Sequence, residues 1–485
     1  MTDWMAVLTE VRILVVGAAS ITWSTLVSAH TILHKRDSRA AVAWVGLIWL
    51  VPFVGGLLYV MFGVNRIRRV ASVLRGQVPR LSGSFAQVAN ADTVLELLPE
   101  RDAHLASLGR LVDQITRRPL TTGNALTPLV GGDDAYAAML AAIAGAQRSV
   151  AFSTYIFDDD PVGREFITAL AAAHARGVEV RVLVDAVGAR YSWPPAHRAL
   201  RRLGVPVARF LPTRFSWRAM FLNLRNHRKI LVVDGTTGFT GGMNIREGHV
   251  LSRAPRRPVQ DLHFRVEGPV VRHLVEVFAE DWAFTRGELL AGPAWFPELA
   301  PAGSAIARGI SDGPDEDFEQ LYWVVDGAIS TAMRSVRIAT PYFLPDQSLI
   351  RSLVVSALRG VSVRVLLPEV NNLPVVAWAA QAQLWQMVKR NVEVRMSPGP
   401  FDHSKTMVVD DAWTSVGSAN MDPRSLRLNF EFNVEAYDPA FAGTMARWFD
   451  AKWETARPVT AHELDHRPLW MRLRDGIARL ASPFL

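Results

Sequence analysis

Imidazole, ammonium and carboxylate groups recur at one spacing in two places. His227-Arg228-Lys229 is followed by Asp234, and His403-Ser404-Lys405 is followed by Asp410, so both strings read H-x-K-x-x-x-x-D. The chain has 12 His, and its lysines are Lys35, Lys229, Lys389, Lys405 and Lys452. With about one residue in twenty being Asp, chance gives on the order of 0.01 matches in the whole chain. Two matches need a cause. Each is followed by a Gly-rich segment ending in Asn: Thr240-Gly241-Gly242-Met243-Asn244 and Val416-Gly417-Ser418-Ala419-Asn420.

The chemistry follows from parity. Lys229 to Val233 and Lys405 to Val409 read as strands, and in a strand residues i and i+2 share a face. The His and Lys of each copy therefore project together. One His and one Lys make half a site; two copies meeting at a pseudo-twofold axis make a pocket suited to a phosphodiester. Two ammonium groups hold the non-bridging oxygens, one imidazole attacks phosphorus and the other protonates the leaving oxygen. No metal is required, and a cationic lysine is a poor ligand for one. His227, Lys229, Asp234, His403, Lys405 and Asp410 are the catalytic candidates. Asp234-Gly235 and Asp410-Asp411 occupy hairpin-turn positions, so parity gives the two Asp a structural role. Each His needs a carboxylate on its other nitrogen. Asp261 and Glu431 lie about 30 residues downstream of the two motifs and are the candidates. Asn244, Asn420 and Ser418 are supporting candidates, and Arg424 and Arg427, which follow the second motif, read either as phosphate-binding groups or as a solvated face.

The elements that must position these groups are also duplicated. Arg148-Ser149-Val150 leads an apolar run ending at Tyr155-Ile156-Phe157; Arg334-Ser335-Val336 leads one ending at Pro341-Tyr342-Phe343. A helical stretch follows in each, Val162 to Arg176 and Gln347 to Arg359. Then come the β-branched runs Val178 to Val184 and Val361 to Leu367. Strand, helix, strand is a βαβ unit, which predicts a mainly parallel α/β sheet covered on both faces. The expected domains are a linker over 71–125, a first half over 126–300 and a second over 301–460. In the linker, Leu95 to Leu111 looks helical.

At 485 residues the chain is too long for one ordinary core. It is 49% hydrophobic with net charge +7, nearly all of the positive charge being Arg. An anionic phosphate partner fits that balance. With no Cys, disulfides, zinc thiolates and thiol nucleophiles are excluded. Two long apolar runs, Ile13 to Leu33 and Ala40 to Gly63, contain no Asp, Glu, Lys or Arg. Each reaches the ~20 residues needed to span a bilayer as helix, so 1–70 reads as two transmembrane helices in a tight hairpin. The first run is longer than a signal-peptide core and is followed by the second. Arg12, Arg66, Arg68, Arg69 and Arg75 outnumber the basic residues of the turn, which predicts both termini in the cytoplasm. The tail, 461–485, spaces Leu469, Leu473, Ile477 and Leu480 helically beside Trp470 and several Arg. It reads equally as an interfacial amphipathic helix or as one packed on the second half.

At these residues the sequence resembles the phospholipase D superfamily, whose signature is the duplicated H-x-K-x-x-x-x-D followed by G-[GS]-x-N. Within it, the sequence is most similar to bacterial cardiolipin synthases. The strings carrying this are Asn223-Leu224-Arg225-Asn226-His227-Arg228-Lys229, Phe278-Ala279-Glu280-Asp281-Trp282 and Arg424-Ser425-Leu426-Arg427-Leu428-Asn429-Phe430-Glu431, with Ala43-Trp44 and Tyr59-Val60-Met61-Phe62-Gly63 in the apolar runs. The resemblance implies two phospholipase D-like halves related by pseudo-twofold symmetry in one chain, so a monomer suffices. It implies transfer of a phosphatidyl group between two phosphatidylglycerols, giving cardiolipin and glycerol through a phosphohistidine. His227 is then the nucleophile and His403 the general acid, then base. No cofactor and no metal is implied. The partners are phosphatidylglycerol and anionic lipids of the cytoplasmic membrane, not nucleic acid, and the catalytic part is cytoplasmic. A hydrolytic phospholipase D or another phosphatidyltransferase, such as a phosphatidylserine synthase, shares the same catalytic set. One departure stands out: Gly242 replaces the hydroxyl that Ser418 supplies in the second copy, so symmetric phosphate contacts are in doubt.

Overall fold

A computed structural model describes residues 2–35, 38–63, 88–89, 93, 96, 98–211, 224–314 and 317–482. The chain divides into two compact units, Met1–Val70 and Ala71–Leu485.

In the first unit, helix Thr2–His34 is continuous, and its portion Val7–His34 is long and apolar enough to cross a membrane. The second apolar run is not one helix. Ser38–Leu50 ends at Val51, which takes φ −139° and ψ 78°, and a short helix Pro52–Leu58 restarts before a π-turn at Tyr59–Gly63. Pro52 is the cause, because its ring displaces the preceding residue from helical backbone. The unit has its own small core of Val27, Ile48 and Tyr59, with Trp44 edge-on to Tyr59 at 5.5 Å. His30, the polar ring of the first run, bonds Tyr59 Oη through Nδ1 at 2.9 Å.

The second unit is built on a 16-stranded sheet. Strands Leu120–Val130 and Ala305–Asp312 pair antiparallel at its centre. Outward from Leu120–Val130 run Leu262–Glu267, Thr237–Gly241, Ile230–Val233, Ser149–Thr154, Glu179–Asp185 and Val207–Phe210. Outward from Ala305–Asp312 run Glu431–Tyr437, Trp413–Gly417, Thr406–Val409, Ser335–Ala339, Ser362–Pro368 and Glu393–Ser397, with the two-residue strand Arg457–Pro458 at the edge. The two lists match term by term. Both expected βαβ units form, with Ser149 opposite Glu179 and Ser335 opposite Ser362. The sheet is mixed rather than mainly parallel. Each motif strand turns straight back into a hairpin, and a tight turn can join only antiparallel strands.

Helices Pro161–Ala175 and Gln347–Leu358 start where Asp160 and Asp346 accept N-terminal backbone N–H groups. Apolar faces such as Val162, Phe166 and Leu170 are buried with Val150, Phe152 and Val182 in the first core. The stretch expected to be a linker is part of the fold where described. A 3-10 turn Glu100–Leu105 leads helix Ala106–Ile115, and Leu105, Leu108 and Val112 are buried with Leu321, Val324 and Ala328. The expected helical start at Leu95 lies outside the described residues.

Candidate active site

The loops that carry the two histidines cross between the halves. Asp402, just before His403, lies in a two-residue strand paired in parallel with Val259–Gln260, and His403 N–H donates to Gln260 O at 2.8 Å. The mirror contact is the bridge of Asn226 to Phe430, where His227 N–H donates to Phe430 O at 2.9 Å. Each histidine is thus clamped to the residue preceding the other half's carboxylate. His227 Nδ1 meets the Glu431 carboxylate at 3.0 Å, and His403 Nδ1 meets Asp261 Oδ2 at 2.8 Å. The structure places both carboxylates that the sequence offsets singled out against the histidines, each bonded to the histidine of the opposite half. A carboxylate on Nδ1 fixes the proton there and turns Nε2 toward reaction as the free lone pair.

Lys229 and Lys405 share their histidines' faces, as parity predicts. Their Nζ atoms donate to the carbonyls of His227 at 2.6 Å and of His403 at 2.5 Å. Lys405 Nζ also lies 3.0 Å from His403 Nδ1, but the Nδ1 proton is directed to Asp261. Both lysines are almost fully buried. Burial, against the attraction of Glu431 and Asp261, lowers Lys229 to about 7 and Lys405 to about 8. Burial also lowers His227 to about 4 despite Glu431, and the charges of Lys229 and Lys405 add to that. His403 is held well below its ordinary value by burial and then by the two lysines and His227. With each histidine bonded to the opposite half's carboxylate, the four groups gather at the seam between the halves.

The two carboxylates differ. Burial would raise Glu431, but His227, Lys229 and Ser418 outweigh it and hold it low. Ser418 Oγ donates to Glu431 Oε2 at 2.5 Å and Asn429 Nδ2 to Oε1 at 3.0 Å. Asp261 is pushed up to about 6 by burial, which Lys405 opposes. Among the described residues no hydroxyl bonds to it, and Gly242 stands in the place of Ser418. A Cβ on Gly242 would lie 2.2 Å from Asp261 Oδ1. The asymmetry is therefore a matched set, Glu with Ser on one side and the shorter Asp with Gly on the other. The Ser418 hydroxyl serves a carboxylate, not an incoming phosphate.

Asp234 and Asp410 do not enter the pocket, which corrects their listing among the catalytic candidates. Asp234 accepts backbone N–H groups of Gln147, Arg148 and Ser149 at 2.7 to 3.1 Å. Asp410 accepts those of Met333, Arg334 and Ser335, and His104 Nε2 at 2.6 Å. Both sit at positive φ, 54° and 55°, in the turn that ends the motif strand. Asn244 Oδ1 accepts Ile156 N–H at 3.0 Å, fastening the strand end beside the pocket, and Asn420 Nδ2 donates to Ser425 Oγ at 3.1 Å. Arg427 is taken up by Glu319 and Asp346 and faces the Tyr322 ring, so it is a packing residue.

Sequence reasoning passed over three groups. Tyr155 and Tyr342, the aromatic ends of the repeated runs, lie edge-on to His227 at 5.1 Å and His403 at 6.0 Å. Their matching place in the repeat was the available signal. Arg228 points away from the pocket and is fully buried; it pairs with Asp281 at 2.8 Å and donates to Glu431 O at 3.0 Å and Asp312 O at 3.1 Å. It ties the His227 loop to the strand that carries the orienting carboxylate. Among the described residues no cluster of His, Asp and Glu has the form of a metal site.

A family model described as cardiolipin synthase, PLD-like domain, matches residues 139–282 and 325–453, and a phospholipase D-nuclease N-terminal model matches 23–63. The chain is 33% identical to cardiolipin synthase A of Pseudomonas fluorescens (strain SBW25), over 95% of this chain and 96% of that one. It is 31% identical to the major cardiolipin synthase of Bacillus subtilis (strain 168), over 93% and 95%. Among solved structures, phosphatidylserine synthase of Haemophilus influenzae Rd KW20 superposes with a TM-score of 0.59 at 14% identity, covering 78% of this chain and all of that one, a likeness of fold alone. With the crossed two-histidine site and matches along nearly its whole length, the chain belongs to the cardiolipin synthase family of the phospholipase D superfamily.

Proposed function

We propose that this protein is a cardiolipin synthase that joins two phosphatidylglycerols through a phosphohistidine formed on His227. The observation that carries the mechanism is the pair of imidazoles, each bonded at Nδ1 to the opposite half's carboxylate, beside two buried lysines. In the first step His227 Nε2 attacks phosphorus. The bond to the glycerol oxygen breaks, and His403 gives that oxygen its proton, releasing glycerol. In the second step the headgroup hydroxyl of another phosphatidylglycerol passes its proton to His403 and attacks phosphorus, and the phosphorus–nitrogen bond breaks. The phosphodiester energy is conserved, so no nucleotide is consumed. Lys229 and Lys405 offset the charge that builds on the non-bridging oxygens, an effect strongest where water is excluded. The substrate's negative charge also raises the proton affinity of His403, which burial alone depresses.

The acceptor must outcompete water, and a site facing a membrane gives a lipid hydroxyl high local concentration. Two membrane spans, a cytoplasmic catalytic unit and a monomeric site complete the reading. The helix Val7–His34 and the apolar run through Gly63 support the anchor. The test is incubation of the reconstituted protein with phosphatidylglycerol alone. Cardiolipin and free glycerol in equal amounts are expected. Phosphatidic acid as the main product would replace this reading with hydrolysis, and a requirement for serine would replace it with phosphatidylserine synthesis.

A further inference from the structure

The C-terminal helix Leu469–Leu480 is packed with its apolar side outward. Leu469, Trp470, Leu473, Ile477 and Leu480 are 58 to 77% exposed, whereas Asp475 and Ala478 are buried. At about 100° per residue the five apolar side chains fill one wedge roughly 100° wide, and the buried pair lies on the far side. Arg474 borders one edge of the wedge and Arg472 and Arg479 the other. A helix on a soluble protein turns such a stripe to the core. Here the inner contacts are made by Ala478 with Val376, Ala379 and Ala380, and by Asp475, which pairs with Arg467 at 2.7 Å and Arg474 at 2.8 Å. Arg474 lies over the rings of Trp378 and Trp470, at 4.5 and 5.5 Å, with its guanidinium bonded to the buried Asp475.

The helix is continuous with the mouth of the site. It rests on helix Pro374–Val388, whose leading loop holds Asn372 against Tyr342 Oη at 2.7 Å, and Tyr342 stands edge-on to His403. Val370 and Leu373 in that loop are half-exposed. The matching loop of the first half carries Tyr191, edge-on to Tyr155, and Trp193, which is 85% exposed. Apolar side chains thus stand out from both loops that pack on Tyr155 and Tyr342, the rings beside the two histidines.

We propose that helix Leu469–Leu480, with these two rim loops, docks the catalytic unit onto an anionic lipid bilayer and holds the mouth of the site against it. The occupant follows from the chemistry of the face. An apolar wedge edged by the exposed Arg472 and Arg479 buries its side chains at the acyl boundary while those guanidiniums reach phosphates of the headgroups. Continuity with a pocket built for a phosphodiester sets that surface where a lipid headgroup must enter. The inference rests on the phosphatidyl-transfer reading.

The chain contains no cysteine, so a single one can be labelled without background. Full-length Leu473→Cys carrying an environment-sensitive dye is reconstituted in vesicles containing phosphatidylglycerol. A blue-shifted emission, quenched by lipids spin-labelled near the headgroup, is expected. Gln147→Cys, exposed beside Asp234 at the far end of the sheet, should show neither. Leu473→Glu combined with Ile477→Glu should lower cardiolipin formation from vesicle lipid by about tenfold or more, with turnover of dissolved short-chain phosphatidylglycerol unchanged. Absent or equal quenching at the two positions, or undiminished vesicle activity in the double variant, overturns the proposal. Shielding of the dye that follows protein concentration and ignores the lipid quencher assigns the face to a second copy and also overturns it. Failure of the parent protein to turn over short-chain lipid would count against the transferase reading, while the quenching result still decides the surface.

Discussion

At the scale of the residue, the site is a set of unlike groups held at altered protonation by burial. Lys229 and Lys405, lowered to about 7 and 8, must be cationic to hold phosphate. A lysine loses its charge as pH rises through its pKa, so kcat/KM should fall across pH 7 to 8. The bound phosphodiester stabilises both ammonium groups, so the alkaline limb of kcat should lie above that of kcat/KM. Coincident limbs would show that the lysines do not titrate there; the measured values will belong to the coupled cluster. The Glu–Ser and Asp–Gly sets give a second expectation. In Gly242→Ser the new side chain must displace the Asp261 carboxylate from His403, with a loss of about 100-fold in kcat, whereas Ser418→Ala removes one bond from Glu431 and should cost about tenfold. Equal effects of the two substitutions would contradict the assignment of distinct carboxylates to the two histidines.

At the scale of the element, the motif's third residue is explained by where its strand ends. From His227 to Asp234 is seven residues, roughly 20 Å of extended chain, so the two cannot share a pocket. Asp234 and Asp410 instead gather the backbone donors at the start of the neighbouring strand and set the register of the motif hairpin against it. Asp234→Ala should therefore destabilise the fold by about 1–3 kcal/mol, since three N–H groups lose their acceptor. Thermal unfolding should show a lower Tm, with kcat per folded molecule close to that of the parent. A normal Tm with kcat abolished would return Asp234 to the chemistry. The hairpins and the βαβ units were legible in the sequence, because each depends on residues close together in the chain; the N-caps Asp160 and Asp346 were seen only in the structure. The break at Val51–Pro52 was legible too, in principle. Hydropathy alone reads the second apolar run as unbroken, while proline acts through backbone sterics that hydropathy does not register.

At the scale of the whole molecule, neither half can complete its own histidine. His227 needs Glu431 and His403 needs Asp261, and the backbone around each histidine is clamped to the same foreign segment. Because both crossings occur within one chain, mixing His227→Ala protein with His403→Ala protein should restore no synthesis. Recovery to an appreciable fraction of the parent rate would mean that halves exchange between chains. The sequence by itself determined the duplication and the strand parity that aims His and Lys together, and it singled out the candidate reacting groups, since composition and short-range periodicity carry that information. It also named both orienting carboxylates. Tertiary structure alone decided which carboxylate serves which histidine, why Gly242 has no hydroxyl, and why the last helix faces its leucines outward. The first of those facts depends on segments 142 and 204 residues apart, the separations of the two His–carboxylate pairs, and the others on contacts that follow from the same tertiary packing. Sheet pairing between the halves brings such segments together, and no local pattern encodes that approach.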